Sequence, residues 1–145
     1  MLSEILKAER IKFDIDGSSK EEIINILLEG YDFNNKSLLV EEILSREAIM
    51  STAPGKGIAI IRGFTSEVET PSLTIGLSKR GIDFASLDHA PVRIFFLFIF
   101  PRDFKDYPYY IASALSLLNQ ETVRTRLPDF ISAQELIKFI SQKEV

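Results

Sequence analysis

The amino-acid sequence predicts one α/β domain built in layers. The chain has 145 residues, the size of a single domain that is long enough to bury a sizeable core. Segments with the two-residue alternation of β-strands are interspersed with segments of helical spacing, which is typical of a layered α/β fold. The run over residues 92–100 is apolar without alternation, as expected of a central strand buried on both faces. Because we find no repeat, low-complexity tract or linker, we expect residues 1–145 to form a single domain.

The first third of the chain predicts a strand and two helices. Residues 2–9 have the apolar spacing of a short helical turn, and the alternation over residues 11–15 predicts a half-buried strand. Residues 19–22 read Ser-Lys-Glu-Glu, the signature of a capping box at a helix start. The helix that follows should end near Gly30, a residue type suited to a helix end. A second helix is expected over residues 37–47.

The middle of the chain predicts three strands. A loop that contains glycine and proline, residues 53–57, leads into a short apolar strand that is expected to end at Arg62. Alternation over residues 72–78 predicts a second half-buried strand. Residues 81–91 are expected to form a connection with a tight turn. The third strand is the apolar run described above, which a proline ends.

The last third predicts three helices. The first begins at Tyr107, and a short helix near residues 123–127 precedes Pro128. A capping box at residues 132–135 opens the last helix. The residues expected to face inward are Tyr110, Ile111, Ala114, Leu115 and Leu118 in the first of these helices, and Leu136, Ile137 and Ile140 in the last.

Composition and charge exclude several classes of protein. The net charge of −4 and the pI near 5.1 argue against a nucleic-acid binder. The absence of cysteine excludes disulfides, thiolate metal sites and cysteine catalysis. The longest strictly apolar run, residues 94–100, is too short to cross a bilayer, and the N-terminus lacks the pattern of a signal peptide. We therefore expect a cytoplasmic protein without membrane insertion. No cluster of His, Asp and Glu has metal-ligand spacing, and no cofactor or metal is expected.

A motif begins at the end of the second helix and continues to the following strand. It consists of Arg46-Glu47, Ser51-Thr52, Gly55, Gly57 and Ile58-Ala59-Ile60. This segment resembles the active-site region of the mannitol/fructose-type EIIA domains of the bacterial phosphotransferase system, a family that includes the nitrogen-regulatory EIIA proteins. The segment with Ile82-Asp83-Phe84, the strand before Pro101 and the last helix extend the resemblance over nearly the whole chain. It implies a three-layer α/β/α sandwich with a central mixed β-sheet.

The chain departs from the family pattern where the family has Pro-His, because the sequence here is Ile61-Arg62. The family histidine carries a phosphoryl group on a ring nitrogen, which requires a neutral imidazole as nucleophile. A guanidinium stays protonated and has no free lone pair for this attack. The second family histidine also has no counterpart: Tyr107 is the best-aligned residue for its position, and Tyr109 is the alternative. The resemblance therefore implies an EIIA-type domain that has lost its phosphoacceptor and has no catalytic residue of the family type.

The residues at these positions form a candidate phosphate or anion site: Arg46, Ser51, Thr52, Arg62 and Tyr107. Arg46 could grip phosphate oxygens, or it could interact with the helix dipole or with Glu47. Arg62 could point into solvent, or it could face one pocket with Arg46 and bind phosphate, a phosphorylated ligand or an acidic partner residue. Ser51 and Thr52 could donate hydrogen bonds to an anion or close the loop locally.

Three functions are compatible with these residues. The first is a regulatory or protein-interaction domain whose partner is HPr-like or a regulated enzyme or transporter. The second is an active phosphocarrier with another acceptor, such as His89, although this only histidine of the chain is expected to serve as a turn residue. The third is a module that binds an anion or a phosphorylated metabolite between Arg46 and Arg62.

Overall fold

The computed structural model describes residues 1–49 and 53–144, with nothing described of the side chain of Ile49. The helices are α1 (Leu2–Ile5), α2 (Lys20–Leu27), α3 (Lys36–Ile49), α4 (Tyr107–Leu118), α5 (Glu121–Arg126) and α6 (Ala133–Lys143). The strands are β1 (Ile11–Lys12), β2 (Ile58–Thr65), β3 (Ser72–Ile82) and β4 (Val92–Pro101), and short 3-10 turns occupy Ala8–Arg10 and Leu127–Asp129. No helix in these described ranges has the length and apolar character needed to cross a bilayer.

The four strands form one mixed sheet in the order β1-β3-β4-β2. β1 is parallel to β3, β3 is antiparallel to β4, and β4 is parallel to β2. β4 and β3 therefore occupy the centre, while β2 lies at an edge. In the register of β2 and β4, Arg62 is paired with Phe98.

Helices cover both faces of the sheet. One apolar cluster joins α1, α4, α5 and α6 to side chains of β2, β3 and β4 such as Ile60, Leu73 and Phe96. A second cluster joins α2 and α3 to the opposite side chains of the same sheet, including Ile61 and Phe95. Since neighbouring residues of a strand point to opposite faces, a sheet covered on both sides needs apolar residues in succession. The three-layer α/β/α sandwich with a mixed sheet is confirmed.

The predicted capping boxes mark real helix starts. The hydroxyl of Ser19 accepts the backbone N–H of Glu22 at 3.1 Å at the start of α2. The hydroxyl of Ser132 accepts the backbone N–H of Glu135 at 3.3 Å at the start of α6. Each bond satisfies one of the donors that a helix leaves free in its first turn. The prediction that a helix begins at Tyr107 is also confirmed.

The predicted end of β2 at Arg62 is wrong. The ladder with β4 continues through Gly63, Phe64 and Thr65. A Cβ at Gly63 would lie within 2.9–3.0 Å of the side chains of Leu39 and Ile43 on α3. The glycine therefore permits close packing of α3 on β2, and it does not end the strand.

The predicted half-buried strands also need correction. β3 is buried on both faces over residues 72–78, because its non-apolar positions there are small residues that fit under the helices. The strand then extends to Ile82 through the exposed residues Lys79 and Arg80. β1 contains only two residues, and the positive φ of 53° at Asp14 interrupts its extended backbone.

Two helix faces differ from the prediction. In α4, Leu115 is 44% exposed while Leu117 is buried, since the helix packs with a face rotated from the expected one. In α6, Ile137 is only partly buried, and Phe139 is buried in its place.

Candidate functional site

Arg62 lies on the outer strand of the sheet, between α3 and the beginning of α4. Its neighbours two positions away, Ile60 and Phe64, belong to the apolar cluster on the α4 side. Because side chains alternate along a strand, Arg62 points to that same face. Its side chain is partly exposed, so the guanidinium can reach solvent at the edge of the sheet.

Tyr107 is the first residue of α4 and contacts Arg62. The guanidinium carbon of Arg62 lies 5.8 Å from the centroid of the Tyr107 ring. This distance is near the outer limit of a cation–π interaction, which is worth about 0.5–1 kcal/mol at an exposed site. None of the ion pairs between described residues includes Arg62. Its charge is therefore not neutralised by a carboxylate in this part of the chain.

Arg46 reaches the same region from α3. Its guanidinium carbon lies 4.8 Å from the centroid of the Phe64 ring. Its Nε atom lies 3.6 Å from a carboxylate oxygen of Glu42, one helical turn earlier. The alternative pairing of Arg46 with Glu47 is not observed among the described contacts, because the Glu47 carboxylate bonds instead to the Lys20 ammonium at 3.0 Å.

Phe64 connects the two arginines through its contact with Tyr107. The Phe64 and Tyr107 rings meet edge to face, with centroids 5.2 Å apart and an interplanar angle of 84°. Arg46 lies against the first ring and Arg62 against the second. The structure thus brings Arg46 and Arg62 to the two rings of one aromatic pair, Phe64 and Tyr107, at the edge of the sheet.

Glu42 and Phe64 belong to the site but were not predicted from the sequence. A signal for Glu42 was present, since a carboxylate four residues before an arginine is a common helical pair. Phe64 lies two residues after Arg62 and so shares its face, but the expected end of the strand at Arg62 concealed this relation. Ser51 and Thr52, also predicted as site residues, lie outside the described residues.

The loop before β2 is held by Asp88. One Asp88 carboxylate oxygen accepts the backbone N–H of Lys56 at 2.9 Å, and the other accepts that of Ala90 at 3.0 Å. The hydrogen bond from Lys56, followed by that from Ala90, lowers the pKa of Asp88 below its usual value. A Cβ at Gly55, whose φ is 121°, would come within 2.8 Å of the same carboxylate. The Asp88 carboxylate therefore fixes the backbone at Lys56 and Ala90, and the glycine at position 55 leaves room for it.

His89 lies in a turn before β4. Its φ is 61°, and its backbone N–H donates to the carbonyl of Ser86 at 3.0 Å. The predicted turn role is consistent with this geometry. The strand from Val92 to Phe98, the residue paired with Arg62, is about 20 Å long at the usual rise per residue. The histidine is thus at the far end of β4 from the arginine site.

Comparison with known proteins identifies the family. Residues 4–143 match the family model described as "Phosphoenolpyruvate-dependent sugar phosphotransferase system, EIIA 2". The chain belongs to this family. The predicted membership of the EIIA family is therefore confirmed.

Relatives of this EIIA domain include sugar-specific and nitrogen-regulatory proteins. The chain is 32% identical over 148 residues to the fructose-specific EIIABC component of Bacillus subtilis, with 99% of this chain and 23% of that protein covered. It thus spans about a quarter of that relative. The nitrogen-regulatory protein IIA-Ntr of Neisseria meningitidis superposes with a TM-score of 0.82 at 25% identity, with 95% of this chain and 97% of that chain covered.

A third similar structure is a complex. It contains enzyme IIAMTL and phosphorylated enzyme IIBMTL from Escherichia coli. It superposes on this EIIA domain with a TM-score of 0.77 at 23% identity, and the match covers 94% of this chain and 97% of that chain. At this identity the likeness shows a shared fold.

Proposed function

We propose that this protein is a cytoplasmic EIIA-type regulatory domain that binds protein partners without carrying a phosphoryl group. The observation that carries the proposal is Arg62, which occupies the family's phosphohistidine position in the motif resemblance. It lies on β2 beside Arg46 and Tyr107, where a nucleophile would be required. A guanidinium cannot act as that nucleophile, because its nitrogens have no free lone pair for attack on phosphorus.

His89 lies too far from the arginine site to replace the missing histidine as phosphoryl acceptor. It is the only histidine of the chain and lies in a turn at the far end of β4. A phosphoryl donor that docks at the Arg46 and Arg62 surface would not reach it. Transfer requires the nucleophile and the phosphorus to approach within a few Å.

The permanent charge of Arg62 suggests how the domain would act. Phosphorylation of a histidine would add negative charge at this position, whereas Arg62 adds positive charge at all times. The domain would therefore stay in one signalling state. A partner with a phosphorylated or acidic side chain, such as an HPr-like protein or a regulated enzyme or transporter, would be attracted to this surface.

Phosphoryl transfer tests this proposal directly. The purified protein is incubated with phosphoenolpyruvate, the general phosphotransferase enzyme and HPr, and intact mass is measured. A phosphorylatable EIIA domain in the same mixture confirms that the donors are active. We expect no phosphate adduct on the wild-type protein. A stoichiometric adduct would overturn the proposal, and its loss in His89→Ala would identify the alternative acceptor.

The Arg62→His variant extends this test. If the remaining site is intact, the new imidazole becomes phosphorylated by phospho-HPr. If the variant folds normally and remains unmodified, other positions such as Tyr107 also prevent transfer. The first result would mean that phosphoryl acceptance was lost through the change at position 62 alone, and the second that further positions of the site have also changed.

A second candidate function is the binding of phosphate or a phosphorylated metabolite. The observation that favours it is the absence of Arg62 from the described ion pairs. Calorimetric titration with phosphate and sugar phosphates, on wild type and Arg62→Ala, tests this function. Heat of binding that disappears in the variant would support it. Equal behaviour of the two proteins would exclude it.

A further inference from the structure

Glu42 is held in the arginine site by two contacts. Its Oε1 atom accepts the backbone N–H of Phe64 on the edge strand at 3.1 Å. The same oxygen lies 3.6 Å from Nε of Arg46. The Glu42 side chain is 26% exposed, compared with 46% for Arg46. The carboxylate is therefore fixed to the strand and also lies beside the arginine.

This arrangement differs from an ordinary surface ion pair. In an exposed pair both side chains must lose freedom to meet, and the gain is small. Here the hydrogen bond to Phe64 already restrains Glu42, so the carboxylate remains near Arg46 without a further loss of freedom. Arg62 has no such carboxylate among the described ion pairs. Arg46 therefore has a carboxylate held beside it, whereas Arg62 has none among the described ion pairs.

We propose that Glu42 is a resident counterion of Arg46, and that it makes Arg62 the main binding group for a phosphate-bearing ligand. The inference rests on the proposed anion-binding role of this site. Glu42 lowers the affinity of the site in two ways. It competes with the ligand for Arg46, and its negative charge repels an anion that approaches the aromatic pair.

Charge and geometry give the ligand class. Arg46, Arg62 and Glu42 together carry one net positive charge. A planar guanidinium can donate two parallel hydrogen bonds to two oxygens of a tetrahedral phosphate group. A phosphate group on a partner protein or a small metabolite has this chemistry, and inorganic phosphate is the simplest probe for both.

Titration of Glu42→Gln with inorganic phosphate tests the role of Glu42. Glutamine keeps an oxygen that can accept the Phe64 N–H, but it removes the charge. We expect phosphate to bind about three- to tenfold more tightly than to wild type, the effect of removing one nearby partly exposed charge. The protein has no tryptophan, and Tyr107, Tyr109 and Tyr110 lie at the start of α4. Three of the four tyrosines therefore lie at or next to the site, and tyrosine fluorescence can follow phosphate binding over a background from Tyr31.

Glu41→Gln is the matched control. Glu41 is the preceding residue of α3, is exposed, and carries the same charge. It has no described contact with Arg46, so its removal changes the net charge without freeing the arginine. We expect it to alter phosphate affinity by less than about twofold. Equal effects of the two substitutions would overturn the proposal, because the gain would then reflect net charge alone.

Arginine substitutions provide an independent test. In the wild-type background, Arg62→Ala should weaken phosphate binding at least about tenfold and Arg46→Ala less than about threefold. In the Glu42→Gln background, Arg46→Ala should abolish the gain. Equal losses for the two arginines, or no detectable phosphate binding by any variant, would overturn the inference. These outcomes are independent of the phosphoryl-transfer assay, which alone decides whether the domain is a carrier.

Discussion

Gly63→Ala is expected to destabilise the domain by separating α3 from β2. The new Cβ would lie 2.9 Å from Cγ1 and 3.0 Å from Cδ1 of Ile43, and 3.0 Å from Cδ1 of Leu39. Carbon atoms pack at about 3.5–4.0 Å, so α3 or these side chains must move by roughly 0.5–1 Å. Overpacking of this kind costs about 1–3 kcal/mol. Alanine regains about 0.5–1 kcal/mol in a strand relative to glycine. The net loss should be about 1–2 kcal/mol.

Urea and thermal denaturation measure this loss. For a chain of 145 residues, a net loss of this size lowers the Tm by about 3–6 °C. Ile43→Ala removes two of the three short contacts, although its own cavity costs about 2–5 kcal/mol. The two substitutions should therefore be non-additive, and the double variant should lose at least about 0.5 kcal/mol less than the sum of the single losses. Strict additivity, or an unchanged Tm for Gly63→Ala, would refute the packing argument.

Two further predictions concern charged groups that fix loops and helices. Asp88→Asn should lower the free energy of unfolding at neutral pH, because the pKa of Asp88 is lowered in the folded protein by the N–H groups of Lys56 and Ala90. This stabilisation is present above the unfolded pKa, about 3.9, and is lost as the pH falls through the folded pKa. Urea midpoints of the two proteins should therefore converge in acid, and a constant difference would contradict the prediction. Lys20→Met should cost about 1–3 kcal/mol, because the substitution removes the 3.0 Å ion pair with Glu47, whose side chain is only 2% exposed. Urea denaturation measures it, and a loss below about 1 kcal/mol would show that other contacts neutralise the carboxylate.

Local patterns were sufficient to predict most of the architecture. The capping boxes at Ser19 and Ser132 and the uninterrupted apolar run of β4 are features of neighbouring residues. The motif resemblance added the layering and the mixed sheet. What failed was the end of β2, where the Arg62-Gly63 pair looked like a strand end. Gly63 is needed because α3 packs closely on it through Leu39 and Ile43. These residues lie about 20 positions earlier in the sequence, so the local pattern around Gly63 gives no sign of the contact.

The candidate site was predictable only in part. Arg46, Arg62 and Tyr107 were expected near one another, and they do lie around a common aromatic pair. Glu42 was missed because its fixed position depends on the backbone of the edge strand, which only the folded chain brings within reach. Likewise, the link from Asp88 to the loop before β2 joins residues far apart in the sequence.

The position of β4 has a consequence for synthesis of the chain. β2 and β3 are consecutive in the sequence, yet they do not pair with each other, because the later β4 lies between them. During translation, β2 and β3 must leave the ribosome before β4, the strand with which both pair, and until then β3 can pair only with the two-residue β1. Their apolar side chains and unpaired edges then remain open to water and to other chains. The parallel pairs β1–β3 and β2–β4 join segments that are distant in the sequence, which slows folding. Truncation before Val92 should yield an aggregating product.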